Sequence, residues 1–235
     1  MVKEEYMGHI DEAGFLRDTG DDNSKRDCGP VEYFFRRVFT GIFYNRLYRR
    51  LAPDVPFYTP KAVRRVQELL SAGSRVFEWG SGVSTLWYAP RVGELISVEH
   101  DPVWYEQGRS ALANQGMGHT KLLFCPPSLD EPYDWQHSWP YYASLGHVPR
   151  KPEFREYMAR IDQYPEKYFQ IIAIDGRERV GCLMHALPHL TKGGCVVLDD
   201  SHRPKYAEFF TILNDWPTEI YDFGLKQTSL FFSPI

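Results

Sequence analysis

Apolar positions fall into short runs that stop at glycine or an acid, separated by stretches with a helical period. Arg75-Val-Phe-Glu-Trp is one such run. It breaks at Gly80 and Gly82 and resumes at Ser84 and Thr85, residue types that open helices. Glu94-Leu-Ile-Ser-Val-Glu99 is a second run, after which Asp101, Pro102 and Gly116 mark the cap, first residue and stop of a helix over 102–115. Residues 121–125 read as a third strand, 169–175 as a central strand buried on both sides, and 195–198 as a fifth. Helices are predicted over 31–51, 61–71 (entered by Pro60), 180–190 and 205–213. The stretch 151–164 is amphipathic, with Phe154, Tyr157, Met158 and Ile161 on one face. Residues 218–223 and 228–232, on either side of Gly224, read as a closing hairpin.

Two stretches have no such period. Residues 1–29 are polar and acidic and read as a loosely attached leader. Residues 126–150 carry Tyr133, Trp135, His137, Trp139, Tyr141, Tyr142 and His147. An aperiodic stretch of that length is either a functional loop, here a lid or aromatic wall, or a surface loop whose rings pack inward. The expected organisation is therefore a leader, a helical segment over 30–72, and one α/β domain over 73–235 with 126–150 inserted. A chain of 235 residues suits one such domain and buries ~70% of its unfolded surface without a disulfide or metal staple.

Composition narrows the classes. Twenty-seven basic against 31 acidic residues give a net charge of −4, so long nucleic-acid contacts are not expected. One local exception is Arg36-Arg37, Arg46, Arg49-Arg50 and Arg64-Arg65 interleaved with Phe34, Phe35, Phe39, Phe43, Tyr44 and Tyr48. That segment reads either as an RNA- or lipid-facing helix or as a helix that packs its aromatic stripe on the domain. The helical recurrence of Phe35, Phe39, Ile42 and Phe43 favours packing. Cys28, Cys125, Cys182 and Cys195 lack metal-ligand spacing. No apolar run approaches the ~20 residues of a membrane span, and the start of the chain has no signal-peptide pattern, so a cytoplasmic location is expected.

Strand, glycine turn, helix, strand and acid together build a nucleotide-shaped crevice in an open α/β sheet. Glu78, two residues before the first glycine, would repel a pyrophosphate but attract a cation. Opposite charges at ~4 Å and an effective dielectric near 20 attract by ~4 kcal/mol before desolvation. The sequence Glu78-Trp-Gly-Ser-Gly82 resembles the first motif of class I S-adenosylmethionine (SAM)-dependent methyltransferases, and Glu99 resembles their ribose-binding acid. Residues 171–177 and 193–200 resemble the ends of their fourth and fifth strands, and the likeness runs from about Pro60 to the C-terminus. It implies a Rossmann-like three-layer sandwich with a mostly parallel seven-stranded sheet and an antiparallel last strand. It also implies SAM held by Glu78, Gly80, Ser81, Gly82, Ser84, Thr85, Glu99 and His100, with His100, Phe124 and Cys125 where the adenine would pack.

Methyl transfer needs a base only when the acceptor holds a proton at neutral pH. Asp175, Asp199 and Asp200 fall at the C-terminal edge of the sheet, where ligands of such folds bind. The pattern resembles that of the magnesium-dependent catechol-type O-methyltransferases, whose three oxygen ligands suit magnesium. It departs from them at Asp200, where asparagine is expected, and after Gly176, where the base lysine is missing. The metal-free alternative uses Asp200 or His202 as base, since histidine titrates near neutral pH. Asp175 completes the catalytic edge, and Arg177, Arg179 or Arg203 would bind an anionic acceptor. His185 and His189 read as ordinary helix residues. The expected activity is O-methylation of a small molecule or sugar, with oligomeric state open. The alternatives are an aminopropyltransferase, an NAD-dependent oxidoreductase, or a non-catalytic SAM-binding module.

Overall fold

The computed structural model describes residues 29–115, 117–128 and 151–234. All of the predicted leader except Gly29, and residues 129–150 of the aromatic loop, lie outside the described residues. Strands β1 (Arg75–Trp79), β2 (Glu94–Glu99), β3 (Thr120–Phe124), β4 (Phe169–Ile174), β5 (Leu190–Asp199), β6 (Thr218–Phe223) and β7 (Lys226–Phe232) form one sheet in the order β3-β2-β1-β4-β5-β7-β6. The first five are parallel, and β7 lies antiparallel between β5 and β6. This is the expected seven-stranded sheet with its antiparallel last strand.

Both faces of the sheet are apolar because the central strands carry large side chains in both phases. Val76, Leu95, Ile171, Ala173 and Val197 lie on one face. Phe77, Ile96, Val98, Ile172 and Val196 lie on the other. Helices must then cover both faces, which makes three layers. On the first face, α2 (Pro60–Leu69) contributes Ala62, Val63 and Val66. On the second, α6 (Arg179–His189) contributes Cys182, Leu183 and Ala186. The remaining helices are α3 (Val83–Tyr88), α4 (Pro102–Gln115), the single turn α5 (Arg155–Met158) and α7 (Ala207–Ile212).

The amphipathic stretch over 151–164 winds as consecutive short helical turns over Pro152–Phe154, Arg155–Met158 and Ala159–Ile161, and its expected apolar face is the buried one. The Tyr157 carbonyl accepts the indole N–H of Trp79 at 2.8 Å where α5 ends. One expectation is corrected. It concerns α1 (Pro30–Phe39), which continues as a π-wound stretch over Thr40–Tyr48 and a last turn at Arg49–Leu51. Its apolar stripe was expected to pack on the domain. Instead Phe34, Phe35, Val31 and Leu51 are 61–76% exposed, and Val38, Phe39, Ile42, Phe43 and Leu47 are at least 40% exposed. The helix meets the body through its polar side. Thr40 Oγ1 accepts the Leu225 N–H at 2.7 Å, and Arg36 and Arg49 donate to the carbonyls of Gly224 and Val55. Tyr44 is buried and Phe39 touches Phe223, but those contacts use only one edge of the stripe.

Candidate functional site

The strand order reverses between β1 and β4, and the C-terminal edge of the sheet at such a reversal is where open α/β folds bind ligands. Gly80 and Gly176 bring the turns after these two strands together. Gly80 has φ +93°, and a Cβ there would lie 2.8 Å from the Gly176 nitrogen, so two independent constraints demand glycine. Gly82 is different, because nothing lies within 4 Å of the position its Cβ would take. The glycine turn is therefore closed on the β4 side and open at Gly82.

Beneath the turn, Glu78 is 1% exposed. Its Oε2 accepts the hydroxyls of Thr85 (2.6 Å) and Ser97 (2.7 Å), while buried Oε1 receives no hydrogen bond of good geometry. Burial pushes the carboxyl up to about 7, against the lowering effect of the Ser84, Thr85 and Ser97 hydroxyls. Thr85 was expected to face a cofactor. It is fully buried, turned inward onto Glu78, and accepts the Gly82 N–H at 3.1 Å. Its part is to hold the acid and the turn. Ser84 is likewise nearly buried.

Glu99 ends β2 and ties three turns together. Oε2 accepts the Ser81 N–H at 2.7 Å and its hydroxyl at 3.0 Å, and Oε1 accepts the N–H groups of His100 and Asp101 at 2.8 Å each. His100 Nδ1 lies 2.9 Å from Oε1, and its Nε2 lies 3.3 Å from Arg177 Nε. Burial alone would raise the Glu99 carboxyl. The His100 ring and the Asp101 and Ser81 N–H groups outweigh it and hold the group below its ordinary value. Glu99 is thus an anion at neutral pH with one replaceable partner, the rotatable Ser81 hydroxyl. Of the residues expected near an adenine, Phe124 is 39% exposed and leans on Tyr105, whereas Cys125 is buried and is removed from that role.

The three aspartates do come together at the β4 and β5 ends, but each already carries a cation from the protein. Arg179 lies 2.7 Å from Asp175, Arg203 lies 2.5 Å from Asp200, and Lys226 Nζ lies 3.0 Å from Asp199 and 3.1 Å from Asp200. Among the described residues no group of three His, Cys, Asp or Glu side chains is arranged to hold a metal. The acids therefore do not fit a magnesium ion, because Lys226 neutralises the two oxygens that would bind it. Burial would raise Asp200, but Lys226, Arg203 and Arg179 overcome this and leave its carboxyl well below the ordinary range. That makes Asp200 a poor base. Arg179 and Arg203, expected to bind an anionic acceptor, are committed to these acids instead.

Lys226 escapes a reading along the sequence because it follows Gly224 in a hairpin, where lysine reads as surface. The antiparallel register pairs Asp199 with Thr228, and Lys226, two residues away, shares that face of β7. His202 lies in the turn after β5 and lines an open cleft of about 320 Å³ with Ser201, Arg203, Phe210 and Gln227. His185 and His189 are structural, since His185 Nδ1 lies 2.8 Å from Asp162 and His189 Nδ1 lies 3.0 Å from the Pro165 carbonyl.

Neither a protein-family model nor a curated protein matches the chain. Among solved structures, it is similar to a candidate caffeoyl-CoA O-methyltransferase from Staphylococcus aureus (TM-score 0.53, 10% identity, covering 86% of this chain and 100% of that one). A candidate methyltransferase from Streptococcus mutans in complex with SAH gives a TM-score of 0.52 at 8% identity, covering 74% and 97%. An rRNA methylase from Streptococcus thermophilus gives 0.50 at 11%, covering 72% and 92%. At these identities the likeness is one of fold.

Proposed function

We propose that this chain, which has the fold of the class I SAM-dependent methyltransferases, is itself a SAM-dependent methyltransferase that acts on a hydroxyl of a small molecule or sugar. The observation that carries this reading is the arrangement of residues at the β1–β4 reversal. An open glycine, Gly82, stands above a buried acid whose Oε1 is still unsatisfied, and a second, anionic acid, Glu99, closes the next strand. Both features suit a cationic nucleoside without phosphate. An ammonium would satisfy Glu78, and the ribose hydroxyls would take the place of the Ser81 hydroxyl on Glu99. A pyrophosphate beside Glu78 would be repelled, which argues against a dinucleotide. Two solved neighbours described as methyltransferases, one in complex with SAH, support the same choice.

When bound, SAM supplies a methyl group already activated by its sulfonium. The protein's work is then to align the acceptor and exclude water. His202 lines the cleft beside the β5 end, and it is the group proposed to take the acceptor's hydroxyl proton. Lys226, Arg179 and Arg203 keep the three aspartates neutralised behind it.

Isothermal titration with SAM, with and without magnesium, is the direct test. The expected result is a micromolar dissociation constant that magnesium does not change, weakened more than tenfold by Glu99→Ala. His202→Ala should keep SAM affinity while lowering kcat on the order of a hundredfold. Failure of the folded protein to bind SAM would overturn the reading.

A further inference from the structure

The helix over 30–51 presents a continuous apolar ridge. Val31, Phe35, Phe39, Phe43, Leu47 and Leu51 follow one another at intervals of four, and all are at least 40% exposed. In an α-helix such a ridge drifts around the axis. The π-wound stretch Thr40–Tyr48 turns less per residue and reverses the drift, so the ridge stays on one side for roughly 30 Å. Phe39 rests one edge against Phe223, and every ridge residue still keeps at least 40% of its surface exposed. The segment carries five arginines against the single Glu32, a net of +4 in a chain whose total is −4. Glu32 is itself paired with Arg36, while Arg37, Arg46 and Arg50 are exposed.

We propose that this helix lies on an anionic lipid surface, with its ridge in the interface and Arg37, Arg46 and Arg50 on the headgroups. A broad apolar face bordered by arginine is what an interfacial helix requires. Charge decides against a second copy, because a two-fold contact would bring two +4 segments together. Side-chain type decides against RNA. Five of the nine exposed apolar residues are aliphatic (Val31, Val38, Ile42, Leu47, Leu51) and offer bases no stacking surface. The polar side of the helix remains held to the β6–β7 hairpin through Thr40 and Arg36, so the body need not rearrange for the ridge to insert.

The test is co-sedimentation of the full chain with phosphatidylcholine vesicles, with or without about one-third phosphatidylglycerol. The protein should sediment with the anionic vesicles, lose this binding at high salt and bind neutral vesicles weakly. Replacing Arg37, Arg46 and Arg50 together by alanine should weaken binding roughly a hundredfold. Phe35→Glu should weaken it at least tenfold. All four positions are exposed, so circular dichroism and SAM affinity should match the parent and verify that each variant is folded. Absence of vesicle binding by the folded parent would overturn the proposal. So would concentration-dependent dimerisation abolished by Phe35→Glu, or retention of full vesicle binding in both variants.

Discussion

Glu78 is where a single residue carries most of the tension in this protein. Its hydroxyl partners keep it in place, yet burial lifts its carboxyl from an ordinary 4.5 to about 7. Between those values the folded chain holds a proton that the unfolded chain has released, so this group's contribution to stability falls as pH rises through that window. At 1.36 kcal/mol per unit the loss amounts to about 3 kcal/mol by pH 8. Glu78→Gln removes the titration while retaining an acceptor for Thr85 and Ser97. Urea melts should show the variant more stable than the parent at pH 8, with the two converging at pH 4 to 5, and SAM binding weakened more than tenfold. Identical pH profiles for parent and variant would show that Glu78 is not the titrating group. Much of this was legible beforehand, because an acid two residues before a glycine turn is a local pattern. The hydroxyl support was only half legible, since Ser97 comes from a neighbouring strand.

At the scale of elements, β7 matters most. It delivers Lys226 to Asp199 and Asp200, and Thr228 to Asp199 at 2.8 Å. Lys226→Met would leave two nearly buried carboxylates short of a cation, and breaking such a pair on one side costs about 3 kcal/mol or more. Asp200 sits below its ordinary 3.8 in the folded chain, so the stability it contributes is present above 3.8 and is lost as pH falls through its lowered value. The penalty of Lys226→Met should accordingly be largest near pH 7 and shrink under acid. A penalty independent of pH would point to lost packing alone. A closing strand was expected over 228–232, two residues short of Lys226, so its lysine was not singled out. Helix 31–51 is the opposite case. Its existence followed from periodicity, and its orientation did not, because the same period describes a stripe facing inward or outward.

For the whole molecule, the candidate site at the β1–β4 reversal implies a linkage. A ligand bound only by the folded state stabilises it by about 2.7 kcal/mol at one hundred times its dissociation constant. For a chain of this size that corresponds to a rise in Tm of roughly 5–10 °C. SAM should produce this shift, NAD should not, and Glu99→Ala should abolish it; an equal shift with NAD would favour a dinucleotide site. The mostly parallel seven-stranded sheet and its antiparallel last strand were expected from the apolar runs and helical stretches read together with a family resemblance, whereas the strand order and the reversal between β1 and β4 came from the structure.

By itself the sequence determined where strands and helices lie, which glycines turn, and which two acids border the candidate site. Those properties depend on residues a few positions apart, and backbone sterics and side-chain period act at that range. Tertiary structure alone decided that the three aspartates meet protein cations rather than a metal, and that the N-terminal helix turns its aromatic stripe outward. Asp199 and Lys226 are 27 residues apart, and Thr40 and Leu225 are 185 apart. Which charge neutralises which, and which face of a helix is buried, is settled only when the sheet brings such positions into contact.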